Sequence, residues 1–157
     1  MKWAIAIAIL FFIALFAIGL LKQRKPAAGA GYYRKKPLSR LEQVLYYRLV
    51  KALPGHVVLS QVSLYQLVGI KKGPAFQPAF KQMSRKSVDF VICTPSFEVV
   101  AVIELDDYGD DDAKRKKTDG QKEMALAQAG IKLLRWWTTD LPSTELIVRA
   151  IQEPAPV

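Results

Sequence analysis

Little in this 157-residue chain can cross-link or coordinate through sulfur or imidazole: it holds one cysteine, Cys93, and one histidine, His56. A single thiol excludes an internal disulfide framework and any cysteine-based zinc site. Cys93 closes an apolar run and reads as a buried core thiol, whereas His56, just beyond Gly55, reads as a loop residue rather than a general base. No internal repeat and no low-complexity tract is present. The length suits one domain of ordinary size and is too short for two well-packed ones.

Charge is missing altogether from Trp3 to Leu21, nineteen residues reading WAIAIAILFFIALFAIGLL. At roughly 1.5 Å rise per residue this run is about long enough for a hydrocarbon core of roughly 30 Å, so residues 1–21 are expected to form a transmembrane anchor. A cleaved signal peptide is the competing reading, because AAGA at 27–30 offers small residues. Against it, the apolar run exceeds the usual h-region of roughly 7 to 15 residues, and Lys22, Arg24 and Lys25 follow directly. One base, Lys2, precedes the segment and six follow it up to Lys36. The positive flank tends to stay in the cytoplasm, so the expected topology is single-pass in the inner membrane, N-terminus outside and C-terminal domain cytoplasmic.

The same bases account for most of the +9 formal charge. Lys2 and the six up to Lys36 contribute +7, leaving 16 basic and 14 acidic side chains in residues 37–157, a balance of +2. Charge alone therefore does not point to nucleic acid. Residues 22–36 read as a flexible basic linker that sets topology and touches anionic membrane lipid.

Beyond Pro37, Leu41, Val44, Leu45, Leu49 and Ala52 form one helical stripe that Pro54-Gly55 ends, and Ser39 with Glu42 has the spacing of a capping box. HVVLSQVSLYQLV at 56–68 is expected to be a strand running into a short helix, and GPAFQPAF at 73–80 a loop. Val88 to Cys93 and Glu98 to Leu105 predict a β-hairpin turned by Thr94-Pro95-Ser96-Phe97. Lys114 to Ala129 predicts a helix stopped by Gly130, followed by a strand at 131–137 and an amphipathic helix from Pro142 to Ile151. Trp136 and Trp137 alternate on that strand, so one is expected in the core and the other outside it.

Six carboxylates fall between Glu104 and Asp112. With a symmetric turn centred on Pro95-Ser96, Cys93 faces Glu98, Val91 faces Val100 and Asp89 faces Val102, which brings Asp89, Glu104 and Asp106 to one face of the sheet. An odd-length or bulged loop would break that parity. Three converging carboxylates need water or a cation, and hard oxygen ligands around an open position suit Mg²⁺ or Mn²⁺. Asp107, Asp110, Asp111 and Asp112 read as solvated surface near a helix start. Asp89, between Val88 and Phe90 in a strand, is costly to bury without a partner.

SVDFVIC, then VVAVIELDD, a basic helix containing TDGQKE, and AGIKLLRWW together resemble the PD-(D/E)XK, or restriction-endonuclease-like, nuclease superfamily. Within it the likeness is to an uncharacterised bacterial domain-of-unknown-function family with an N-terminal membrane anchor. The resemblance covers residues 37–151. It implies an α/β fold with an αβββαβ core, here with a C-terminal helix and one preceding transmembrane helix. It implies metal-binding acids at Asp89 and Glu104, with a further ligand or water-holder at Glu42. The usual lysine two positions after the second acid is replaced by Asp106, which then becomes a further metal or water ligand. Lys122, three residues after Asp119 on the next helix, could supply the missing cation and stabilise charge on phosphate.

The expected organisation is thus an anchor (1–21), a linker (22–36), a nuclease-like domain (37–151) and a tail (152–157). The expected activity is Mg²⁺- or Mn²⁺-dependent hydrolysis of DNA phosphodiester bonds, through Asp89, Glu104, Asp106, Lys122 and Glu42. The alternative is a nuclease-like module that has lost catalysis and serves binding or assembly.

Overall fold

Ser39 begins the first helix by capping it: its hydroxyl accepts from the Glu42 N–H, and the Glu42 carboxylate accepts from the Ser39 N–H. The predicted capping box is present, and it leads into α1, Arg40–Ala52. The other elements are β1 (Val57–Ser63), α2 (Leu64–Leu67), α3 (Phe76–Met83), β2 (Ser87–Cys93), β3 (Val99–Asp106), α4 (Asp112–Gln128), β4 (Lys132–Trp137) and α5 (Thr144–Gln152). This computed structural model describes residue 3 and residues 11–13, 31–107 and 112–154, with the side chains of 112–119 excepted. Most of the apolar segment expected to span a membrane lies outside the described residues, as do Asp110 and Asp111 and the side chains of Asp112, Asp119 and the bases from Lys114 to Lys117. Among the described residues no helix is long and apolar enough to cross a membrane. Two compact units divide the chain, Met1–Lys35 and Lys36–Val157, and the sheet with its helices belongs to the second.

The four strands lie in the order β1-β2-β3-β4, antiparallel except for the parallel β3–β4 pair that α4 joins. Each face of the sheet carries its own apolar layer. Leu45 and Leu49 of α1 and Ile147 of α5 pack with Phe90, Ile92 and Ile103 on one face. Leu64, Met83 and Leu126, from α2, α3 and α4, pack with Val91, Cys93 and Val102 on the other. Trp136 joins the first layer while Trp137 is 45% exposed, as the alternation predicted.

Two elements differ from expectation. Residues 73–80 are not wholly a loop, because α3 starts at Phe76 and runs through Pro78. Proline at the third helical position is tolerated, since the first-turn amides have no intrahelical partner to lose. The second difference is the register of the hairpin. The turn holds three residues: Thr94 N–H donates to Glu98 O and Phe97 N–H to Thr94 O, with Phe97 in the left-handed region at φ 64°. That odd loop sets Cys93 against Val99, and a bulge between Ile92 and Cys93 then shifts pairing once more, to Ile92 with Ala101, Val91 with Val102 and Phe90 with Ile103. The two irregularities cancel in parity but not in position. Continued one residue, the register sets Asp89 directly opposite Glu104 rather than opposite Val102.

Candidate functional site

The site forms where β2 begins and β3 ends, between the start of α1 and the middle of α4. Glu104 is carried in on β3 behind Ala101, Val102 and Ile103, all fully buried, and is itself only 8% exposed. It is the one buried charged side chain among the described residues. Burying an anion is unfavourable unless a counter-charge accompanies it. Lys122 of α4 supplies one, with Nζ 2.9 Å from Glu104 Oε1, and the same ammonium donates to the Ser87 carbonyl at 3.3 Å. Both side chains of the pair are about nine-tenths buried. The close contact is an ion pair without a well-directed hydrogen bond at Oε1, which leaves that buried oxygen with acceptor capacity to spare.

Burial dominates the acidity of Glu104 and pushes its pKa up to about 7; the charge of Asp89 acts in the same direction, and Lys122 and Arg135 oppose it. Asp89 is also held above the ordinary carboxylate range, first by burial and further by the charge of Glu42. The Leu105 N–H, which donates to Asp89 Oδ2 at 2.8 Å, works against that rise, as do Lys122 and Gln61. Two acids that both resist ionisation, set opposite each other across an antiparallel pair, form a site that favours added positive charge.

Glu42 arrives from the other side of the sheet. Its carboxylate does more than cap α1, because Oε1 accepts from Gln61 Nε2 at 2.7 Å, and the same amide nitrogen lies 3.4 Å from Asp89 Oδ1. Gln61 was not identified from sequence. It sits in β1 with φ at +52°, a conformation that costs a non-glycine residue of the order of 1–2 kcal/mol. The strain has a visible consequence: Val57, Leu59 and Val62 all pack in the layer beside α4, so the strict two-residue alternation of β1 slips at Gln61. The sequence signal was there in VVLSQVS, whose apolar positions change parity between Leu59 and Val62.

Asp106 takes a different partner. Its Oδ2 lies 3.3 Å from Arg135 Nη1, and Arg135 also reaches Glu123 Oε1 at 2.7 Å. Among the described residues no group of three Asp, Glu, His or Cys side chains is gathered as a metal cage. The expected three-carboxylate set of Asp89, Glu104 and Asp106 is therefore not assembled, because a neighbouring strand offers Asp106 a guanidinium. Two opposed carboxylates still fit Mg²⁺, which keeps several waters and takes one or two protein carboxylates, and the spare acceptor capacity of Glu104 Oε1 is consistent with such a ligand.

A family model described as "Protein of unknown function (DUF2726)" matches residues 34–154. The chain belongs to this family. The DUF2726 match takes in every element from α1 to α5, and with them Glu42, Gln61, Asp89, Glu104, Asp106 and Lys122. No curated protein and no solved structure matches the chain.

Proposed function

We propose that this domain is a metal-dependent nuclease of the PD-(D/E)XK type that hydrolyses DNA phosphodiester bonds, tethered to the inner membrane by residues 1–21 with the domain on the cytoplasmic side. The observation that carries this reading is the partly buried Asp89 set opposite the buried Glu104, with the Lys122 ammonium 2.9 Å from the latter. Asp89 and Glu104 would hold Mg²⁺ or Mn²⁺, which when bound lowers the pKa of a water and polarises a phosphoryl oxygen. Lys122 is suited to a further role, because an ammonium now satisfied by Glu104 and Ser87 can turn to the new anion as charge builds on the phosphate during attack. Glu42 and Gln61 position Asp89. In the reaction a water oxygen bonds to phosphorus and gives up a proton, the bond from phosphorus to the leaving sugar oxygen breaks, and that oxygen takes up a proton, so that one water is added across the bond.

One observation favours a second reading, a catalytically silent binding or assembly module. Asp106, which stands where the superfamily has a lysine, is engaged by Arg135. The two readings separate in one experiment on the full-length chain. Melting temperature is measured with and without millimolar Mg²⁺ or Mn²⁺, alongside cleavage of DNA and RNA in single- and double-stranded forms. Metal-dependent stabilisation and cleavage, both lost in Glu104→Gln, support the nuclease. No metal response and no cleavage support the silent module.

A further inference from the structure

Between Glu42 and Asp89 the chain contains no aspartate or glutamate and seven lysines and arginines. Five of these, Lys71, Lys72, Lys81, Arg85 and Lys86, lie on α3 and its flanks, and the first four are exposed. The near-neutral balance of the domain conceals this asymmetry. Its acids lie elsewhere in the sequence, and the connection between β1 and β2, the strands that carry Gln61 and Asp89, is an acid-free basic stretch with four exposed cations.

Lys71 and Lys86 of that stretch line a cleft of about 670 Å³ that opens between α2, α3 and α4. Leu64, Val68, Met83 and Met124 make its walls apolar, while Gln82, Gln121 and Gln128 add amides and Lys71 and Lys86 add charge. The volume lies in the range of small-ligand sites. The cleft adjoins the carboxylate site through the chain itself: Gln121 precedes Lys122 on α4, and Lys86 precedes Ser87, whose carbonyl accepts from the Lys122 ammonium. The Lys86 carbonyl in turn accepts from the Leu64 N–H and fixes that wall.

We propose that this stretch binds a single-stranded nucleic acid, its phosphates along Lys71, Lys72, Lys81 and Arg85 and one unpaired base in the cleft. The proposal builds on the nuclease reading, since a strand leaving the cleft past Ser87 arrives at Glu104 and Lys122. The basic stretch alone would suit any polyanion. The cleft discriminates, because a duplex keeps its bases stacked inside and has nothing apolar to insert, whereas an unpaired base offers apolar faces to Leu64, Val68 and Met83 and a polar edge to the amides.

The test uses the full-length chain in neutral detergent with EDTA, so that binding is read without cleavage. Fluorescence anisotropy compares a labelled deoxythymidine strand with a duplex over a salt series. The strand should bind about tenfold more tightly than the duplex. Joint replacement Lys71→Ala and Arg85→Ala should weaken both and reduce the slope of log affinity against log salt for the strand by about 1.4, roughly 0.7 for each lost phosphate contact. Ala79→Trp, which fills the cleft, should weaken the strand about tenfold and spare the duplex. If circular dichroism shows that Ala79→Trp does not fold, Gln121→Leu decides in its place, with the same selective loss expected.

Equal effects on strand and duplex, an unchanged salt slope, or binding only to vesicles of anionic phospholipid would overturn the proposal. Its failure is distinct from that of the nuclease reading. A strand bound as described but never cleaved in Mg²⁺ leaves this inference standing alone. Cleavage that the Lys71/Arg85 and cleft variants perform as well as the wild type leaves only the nuclease.

Discussion

Replacing Glu104 by glutamine keeps the shape of a buried side chain and removes its charge, and the structure makes the outcome counterintuitive. Folding raises the Glu104 pKa from 4.5 to about 7, chiefly because burial penalises the anion. A carboxyl that holds its proton more tightly folded than unfolded lowers stability as pH rises between those two values, and the loss is complete above the higher one. At about 1.36 kcal/mol per pKa unit the difference is about 3 kcal/mol. Glutamine resembles the protonated acid and avoids that cost. Metal-free Glu104→Gln should therefore match the wild type near pH 4.5 and exceed its stability by about 3 kcal/mol at about pH 8, despite losing the ion pair with Lys122. For a domain of this size that is a rise in Tm of about 10 °C. Thermal and urea denaturation in EDTA across this pH range measures it. A glutamine variant less stable than the wild type at the alkaline end would refute the reasoning, because the ion pair would then outweigh desolvation. Adding Mg²⁺ should reverse the order, since a bound dication stabilises the ionised wild-type site and has no charge to meet in the variant.

Lys122→Ala removes the cation beside Glu104 and leaves the opposing Asp89, so the Glu104 titration followed by carbon-13 NMR should move above about 7; a downward move would contradict the assigned pairing. The same variant should keep metal-dependent stabilisation while losing cleavage rate, because its proposed role begins when charge develops on phosphate. At Gln61 the two small substitutions should rank against strand propensity. Glycine relieves the left-handed backbone and alanine does not, so Gln61→Gly should be more stable than Gln61→Ala by about 1 kcal/mol in urea denaturation, with equal stability counting against strain. A reporter fused after Val157 should be active only in a form that requires the cytoplasm, and periplasmic activity or a mature chain beginning near Ala30 would overturn the anchor.

Local chemistry was legible from the residues alone. The capping box at Ser39 and Glu42, the Gly130 stop, now seen at φ +68°, and the division of Trp136 from Trp137 each depend on neighbours within a few positions. The shared face of Asp89 and Glu104 was reached by a pairing rule whose register was wrong, since it set Asp89 against Val102. It survived because an odd loop and a bulge each shift the pairing by one, and together they restore its parity. α3 escapes a reading from composition because Pro78 signals a break unless its place in the first turn is known.

By itself, then, the sequence determined the order of the main elements, the faces of the hairpin and the acids and lysine that compete for one end of the sheet, because periodicity and capping are local properties. The tertiary structure decided which of those groups share a charge environment. Arg135 meets Asp106 from β4, Lys122 meets Glu104 from α4, and Gln61, strained in β1, joins Glu42 to Asp89. Each of these pairings spans at least 18 residues of chain, and side-chain charge and hydrogen bonding act through space, so only the folded arrangement could assign the partners.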